Sequence, residues 1–171
     1  MLEANSAYLR TPHTSEETIS VKPISEGYHS ITPYLIVKNG PAAIEFYKTA
    51  FNATEIMRIE SPDGKLGHAE LQIGDSRIMM ADEQSEMNAL APQSPGSSGV
   101  GLCLYVENVD EVVPQATNAG ATVQRPLQDQ FYGDRSATLL DPFGHVWTVA
   151  THIEDLTPDE INQRAAEMMG G

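Results

Sequence analysis

The stretch Tyr34-Leu-Ile-Val-Lys-Asn-Gly-Pro-Ala-Ala-Ile-Glu-Phe-Tyr47 changes its periodicity halfway along, and that change decides the fold. The run from Ile31 to Val37 is rich in β-forming residues and stops at Lys38-Asn-Gly-Pro41. Asn39 or Gly40 can cap a helix there, and Pro41 suits its first turn. Ala43, Phe46, Tyr47, Ala50 and Phe51 then recur at helical spacing, which gives the helix one apolar face. Three strand candidates follow, over 54–60, 68–73 and 77–81. Ser61-Pro-Asp-Gly64 and Gly74-Asp-Ser76 supply turn chemistry between them. The order is βαβββ.

Working outward, the same order recurs. Leu35-Ile-Val37 falls on Leu104-Tyr-Val106 at a shift of 69, and Ile78-Met-Met80 falls on Trp147-Thr-Val149 at the same shift. A strand over 100–106 leads to Asn108-Val-Asp-Glu111, which has the spacing of a capping box, and then to a helix ending near Ala119. Pro114 should kink that helix or delay its start. Strands follow near 121–124, 136–140 and 145–150, the last two joined by the turn Asp141-Pro-Phe-Gly144. The fold class is therefore α+β, two βαβββ modules over 30–83 and 100–152. A linker over 84–99, carrying Pro92, Pro95 and Gly96, reads as a mobile loop. Residues 1–29 read as a polar extension, disordered or laid along a neighbour, and residues 153–171 as a helical tail. In the tail Thr157 caps, Pro158 takes the first position and Glu160 completes the box.

Ten Lys and Arg stand against twenty-four Asp and Glu, a net charge of −14 over 171 residues. That balance excludes nucleic acid and anionic membrane surfaces as partners, because both need clustered cations. One cysteine, Cys103, excludes an intramolecular disulfide and any multi-cysteine metal site; inside the apolar run 100–106 it reads as buried packing. No apolar stretch approaches a membrane span or a signal peptide, so the expected compartment is the cytoplasm.

Two consecutive βαβββ modules resemble the vicinal oxygen chelate superfamily of glyoxalases, bleomycin-resistance proteins and extradiol dioxygenases. Tyr34 to Tyr47, Gln130-Phe-Tyr-Gly-Asp-Arg135 and Asp141-Pro-Phe-Gly-His-Val-Trp147 sharpen the resemblance to its PhnB-like subgroup. The resemblance implies curved mixed sheets around a cup-shaped cavity, with the helices outside, and a two-fold homodimer that covers the sheet edges. It also implies four metal-ligand positions, carried over to Thr32, Met79, Gly101 and Thr148. None of these side chains is an imidazole or a carboxylate, so the usual metal centre is not expected and no cofactor is assigned.

The residues themselves offer several candidates. His68, Glu70 and Gln72 alternate with Ala69 and Leu71, so they share one strand face, either lining the cup for acid–base or hydrogen-bonding work or simply solvated. Arg135 could grip a carboxylate or phosphate, or pair with Asp134 to fix its loop. Tyr34, Tyr105, Tyr132 and Trp147 could wall a flat ligand, although Trp147 suits the core better. His152, beside Glu154 and Asp155, reads as a surface cap, and His13 and His29 are given no role. The favoured reading is a small-molecule binder whose ligand-facing set is Tyr34, His68, Glu70, Tyr105, Tyr132, Arg135 and Trp147. The alternative is a metal-dependent lyase, isomerase or dioxygenase with displaced ligands, His68 and Glu70 among them, holding zinc, iron, nickel or manganese.

Overall fold

A computed structural model describes residues 22–169, with the side chain of Met169 set aside. Most of the polar extension, with His13, lies outside the described residues.

The first module runs β1 (Tyr34–Val37), α1 (Gly40–Phe51), β2 (Thr54–Glu60), β3 (Leu66–Ile73) and β4 (Ser76–Asp82). The second runs β5 (Gly101–Tyr105), α2 (Val109–Asn118), β6 (Thr122–Asp129), β7 (Asp134–Leu140) and β8 (Val146–His152), and α3 (Pro158–Met169) ends the chain. Each module forms one four-stranded mixed sheet, ordered β1-β4-β3-β2 and β5-β8-β7-β6. The pairs β1–β4 and β5–β8 are parallel and the rest antiparallel, so β1 and β5 each keep one unpaired edge.

The helices start where the side chains predict. Asn39 Oδ1 accepts from Ala42 N–H with Pro41 in the first turn of α1, and Asn108 Oδ1 accepts from Asp110 N–H. A second cap repeats at the 69-residue shift. Asp82, at the end of β4, accepts Gly40 N–H at 2.6 Å, and Thr151, near the end of β8, accepts Val109 N–H at 2.9 Å. Each module thus locks the start of its helix to its last strand. Gly40 is needed there because a Cβ would run into the Leu66 side chain. Pro114 sits inside α2 without delaying its start: the capped first turn already fixes the helix, and Thr117 Oγ1 donates to the Pro114 carbonyl.

Several boundaries differ from the sequence reading. β6 runs on to Asp129, because register shifts between Val123 and Gln128 accommodate Pro126 within the strand. β7 begins at Asp134, so the segment read as a loop up to Arg135 already contributes two strand residues. The linker is also laid back on the protein. Ala91 N–H and the Gln93 amide donate to Glu83, and Gly96 N–H donates to the Gly144 carbonyl.

One apolar core serves both modules. Ala43, Ile44, Phe46, Tyr47, Ala50 and Phe51 of α1 are buried, as are Val109, Val113 and Ala116 of α2, and both helices belong to one cluster with β3, β4, β7 and β8. Across the helix pair, the Gln115 amide donates to the Thr49 and Ala50 carbonyls and to Asn52 Oδ1, satisfying the C-terminal end of α1. At the centre lies Asp141, 3% exposed. Its carboxylate accepts Tyr47 O–H at 2.6 Å, Trp147 Nε1–H at 3.0 Å, and the backbone N–H groups of Phe143 and His145 at 2.9 Å each. Burial pushes this carboxyl up, but His145, Tyr47 and Trp147 outweigh burial and hold it below its ordinary value.

Asp141→Ala is expected to cost about 3–5 kcal/mol, the scale for breaking a buried charged cluster. Tyr47→Phe should cost about 1.5–3 kcal/mol, the scale for one bond to a charged group. Urea unfolding of both single variants and the double variant measures these costs and their coupling. Because the folded-state pKa of Asp141 is depressed, its contribution is complete above the unfolded value of about 3.9 and fades as pH falls through the folded one. The acid limb of the stability curve should therefore flatten in Asp141→Asn.

Candidate functional site

Alternation in β3 turns Ala69, Leu71 and Ile73 into the core and leaves His68, Glu70 and Gln72 half-buried on the opposite, open face of the sheet. The register sets Met79 beside Glu70 and Arg77 beside Gln72 on that face, with Tyr34 of β1 opposite Met79. A polar row results. Tyr34 Oη lies 2.9 Å from His68 Nδ1, and His68 Nε2 lies 3.4 Å from Glu70 Oε1. Glu70 Oε2 is 3.8 Å from Arg77 Nη1, and Arg77 Nε donates to Gln72 Oε1 at 3.3 Å. Donation by Tyr34 O–H to Nδ1 and by Nε2–H to Glu70 uses both nitrogens of a neutral imidazole.

The described end of the extension lies on this row. The Arg77 guanidinium sits 4.4 Å from the centroid of the Tyr28 ring, within cation–π range. The Tyr28 hydroxyl, ahead of His68, holds the Glu70 carboxyl below its ordinary value despite desolvation. Arg77 and Tyr28 were missed in the sequence. For Arg77 the signal existed, since it alternates with the buried Ile78.

The second module carries a different cluster on its open face. Tyr105 Oη donates to Asp134 Oδ2 at 2.8 Å, His152 Nδ1 lies 2.8 Å from Asp134 Oδ1, and His152 Nε2 lies 3.1 Å from Asp155 Oδ1. Asp134 pushes the Tyr105 phenol up to about 12, and with Asp155 it raises the His152 imidazole.

The placement decides four sequence expectations. Arg135 does not face a ligand: it lies on the helix side of β7, where Nε and Nη2 grip both Asp110 carboxylate oxygens and Nη1 reaches Asp129. It shares that side with the buried Ala137 and Leu139, and reading it as a loop residue concealed this phase. Trp147 is a core residue, 3% exposed, packed 4.8 Å from Phe51 and bonded to Asp141, with its ring bordering a cavity. Cys103 is exposed rather than buried, because β5 turns Leu102 and Leu104 inward; desolvation and Asp134 push its thiol up, away from a reactive thiolate. Tyr132 stands in the turn before β7, edge-on to Phe131 at 5.2 Å, away from the Tyr34–His68 row.

Between β1 and β5 the structure leaves a groove with two cavities. One, of about 500 Å³, lies between Tyr34, Leu35, Ile36, Leu102, His145 and the linker. The other, of about 610 Å³, is lined by Arg77 from the first module and by Cys103, Tyr105 and Trp147 from the second. The row reaches this cavity through Arg77, and the Asp134 cluster reaches it through Tyr105. Thr32 borders the second cavity, and Met79 and Thr148 face the open side of their sheets. With Gly101 they offer one hydroxyl pair and a thioether, a donor set that does not fit zinc, iron or manganese. Among the described residues no three His, Cys, Asp or Glu side chains converge as a metal site would require.

Comparison with known proteins agrees with this architecture. The chain is 40% identical over 135 residues to the uncharacterised protein Mb0911c of Mycobacterium bovis, covering 77% of this chain and 89% of that one. Among solved structures, TioX from Micromonospora sp. ML1 superposes with a TM-score of 0.58 at 25% identity, covering 72% of this chain and 98% of TioX. A glyoxalase/bleomycin resistance protein/dioxygenase family enzyme from Burkholderia phytofirmans PsJN gives 0.58 at 26% identity, covering 70% and 95%. Residues 27–149 match the sequence profile of the Glyoxalase/Bleomycin resistance protein/Dioxygenase superfamily, and the chain, with its two βαβββ modules, belongs to that family.

Proposed function

We propose that the protein binds a small amphipathic molecule in the groove between its two modules, without the metal centre of its family's metal enzymes. The observation that carries this reading is the cavity of about 610 Å³, where Arg77 of one module and Tyr105 of the other face one space. A few polar groups converging on a largely apolar cavity of this size is the usual form of a small-molecule site. Arg77 supplies charge, and Tyr105 and Trp147 supply flat apolar area; the Tyr34–His68–Glu70 row backs the cavity through Glu70 beside Arg77. The motif residues quoted above support a place in the PhnB-like subgroup, and the protein is assigned to the cytoplasm.

The binder is assembled as a homodimer. Ile31 and Val100 are 86% and 65% exposed beside the free edges of β1 and β5, an arrangement that favours association with a second copy. Helix α3 packs little against the sheets and is held by the ion pair of Arg164 with Glu154, so it is free to cross to the second copy.

A thermal-shift screen of small carboxylates and phenols tests the site. Arg77→Ala should weaken a carboxylate hit by about 2 kcal/mol, the scale for truncating a desolvated charged contact. Arg135→Ala should leave affinity unchanged, and the reverse ranking would reject the site. EDTA should leave the melting temperature unchanged, because no bound ion would be stabilising the fold; stoichiometric zinc, iron, nickel or manganese in chelator-free protein would favour the enzyme reading instead. Light scattering should report a dimer at micromolar concentration, and deletion of 158–171 should loosen it without unfolding the modules. A monomeric parent would refute the assembly.

A further inference from the structure

The smaller cavity holds a polar group with no assigned task. His145 is 5% exposed, and its Nδ1 is enclosed with no hydrogen-bond partner among the described residues. The nearest carboxylate oxygen to Nδ1 is Asp141 Oδ2 at 3.7 Å, already occupied by Tyr47 and Trp147. A buried imidazole without partners is costly unless something completes its bonding. Asp141 decides how the ring is protonated: a lone pair on Nδ1 would face the carboxylate, so the proton belongs on Nδ1. Nε2 is then a bare acceptor: it has no hydrogen-bond partner among the described residues and, unlike Nδ1, is not enclosed, in a ring that lines the cavity.

The rest of that cavity limits what can meet it. Leu35, Ile36, Leu90, Pro92 and Val100 make apolar walls, and no Asp, Glu, Lys or Arg lines it among the described residues. The donors of Gln93 and Ser98 are committed to Glu83, the Ala91 carbonyl and the Val100 carbonyl. We propose that this cavity is a second small-molecule site, separate from the Arg77–Tyr105 cavity, for an uncharged, flat, largely apolar molecule that donates one hydroxyl or N–H to His145 Nε2. A charged ligand would lose its hydration here without gaining a counter-charge. A ligand without a donor would leave Nε2 unpaired.

A matched pair of probes tests the assignment. 2-Naphthol carries the hydroxyl, and 2-methoxynaphthalene keeps the ring system but cannot donate. With full-length protein isotopically labelled at histidine, 2-naphthol should shift the His145 imidazole signals and bind about tenfold more tightly than the ether. His145→Phe should bind the two alike. Should that variant fail to fold, Leu90→Trp, at an exposed residue on the cavity wall, should abolish 2-naphthol binding while retaining the parent's spectrum elsewhere. Equal affinity of the parent for both probes would overturn the hydrogen bond to His145. Absence of 2-naphthol binding, shifts confined to His68 or His152, or undiminished binding by Leu90→Trp would overturn the site. Arg77→Ala should bind 2-naphthol as the parent does, so failure here and failure of the Arg77–Tyr105 site are separate results.

Discussion

A single buried carboxylate holds the two modules in register. Asp141 cannot stay ionised in an apolar core unless its lone pairs are filled, and its donors come from three places: the backbone of its own turn, Trp147 on β8, and Tyr47 on the helix of the other module. An aliphatic contact between α1 and β8 would tolerate sliding by a fraction of an ångström. A bond of 2.6 Å to a desolvated carboxylate does not. The packed rings of Tyr47, Phe51 and Trp147 surround this point and exclude water from it. The separation of β1 from β5 follows. With the helices pinned beneath them, the two edge strands face one another without pairing, and a groove persists where a continuous sheet could have closed.

The duplicated frame accounts for which positions were free to diverge. At the 69-residue shift, Asp82 and Thr151 perform the same task with different chemistry, each receiving the first N–H of its module's helix. The central inward positions, Ala69 and Leu71 on β3 and Ala137 and Leu139 on β7, are apolar in both copies, because both meet a helix. The open faces carry no such constraint. The first module places His68, Glu70 and Arg77 there, and the second places Asp134, Ser136 and Thr138. Two copies of one scaffold therefore carry different chemistry on their open faces, a cation at Arg77 in the first and a carboxylate at Asp134 in the second.

Local signals were legible in the sequence. Periodicity gave the strands and helices, and Asn39, Asn108 and Thr157 announced the helix starts through short-range chemistry that the structure retains. The phase of a strand was legible only where its start was known. His68 and Glu70 fell on one face as expected, whereas Arg135 was misassigned because β7 begins two residues earlier than read, at Asp134. Cys103 failed for a related reason: an apolar run reads as buried throughout, while an edge strand buries alternate residues only. Pairings such as Tyr47 with Asp141, 94 residues apart, leave no local trace, and Asp141 read simply as a turn residue. The contact of Tyr28 with Arg77 was equally invisible, since nothing in a polar, aperiodic segment shows which surface it will lie on.

Stability and recognition meet at the same atom. Asp141 Oδ2 ties Tyr47 and Trp147 together and also stands 3.7 Å from His145 Nδ1. The carboxylate that positions the modules thereby stands behind the ring proposed to meet a ligand in the smaller cavity. Loss of Asp141 removes the central bonds of the core together with the carboxylate behind His145, whereas loss of the His145 ring leaves Tyr47, Trp147 and the turn backbone on the carboxylate. Substitutions at Asp141 cannot separate folding from binding in this protein, and substitutions at His145 can. The groove is thus a product of the core beneath it, and its chemistry is legible only once the buried carboxylate has been accounted for.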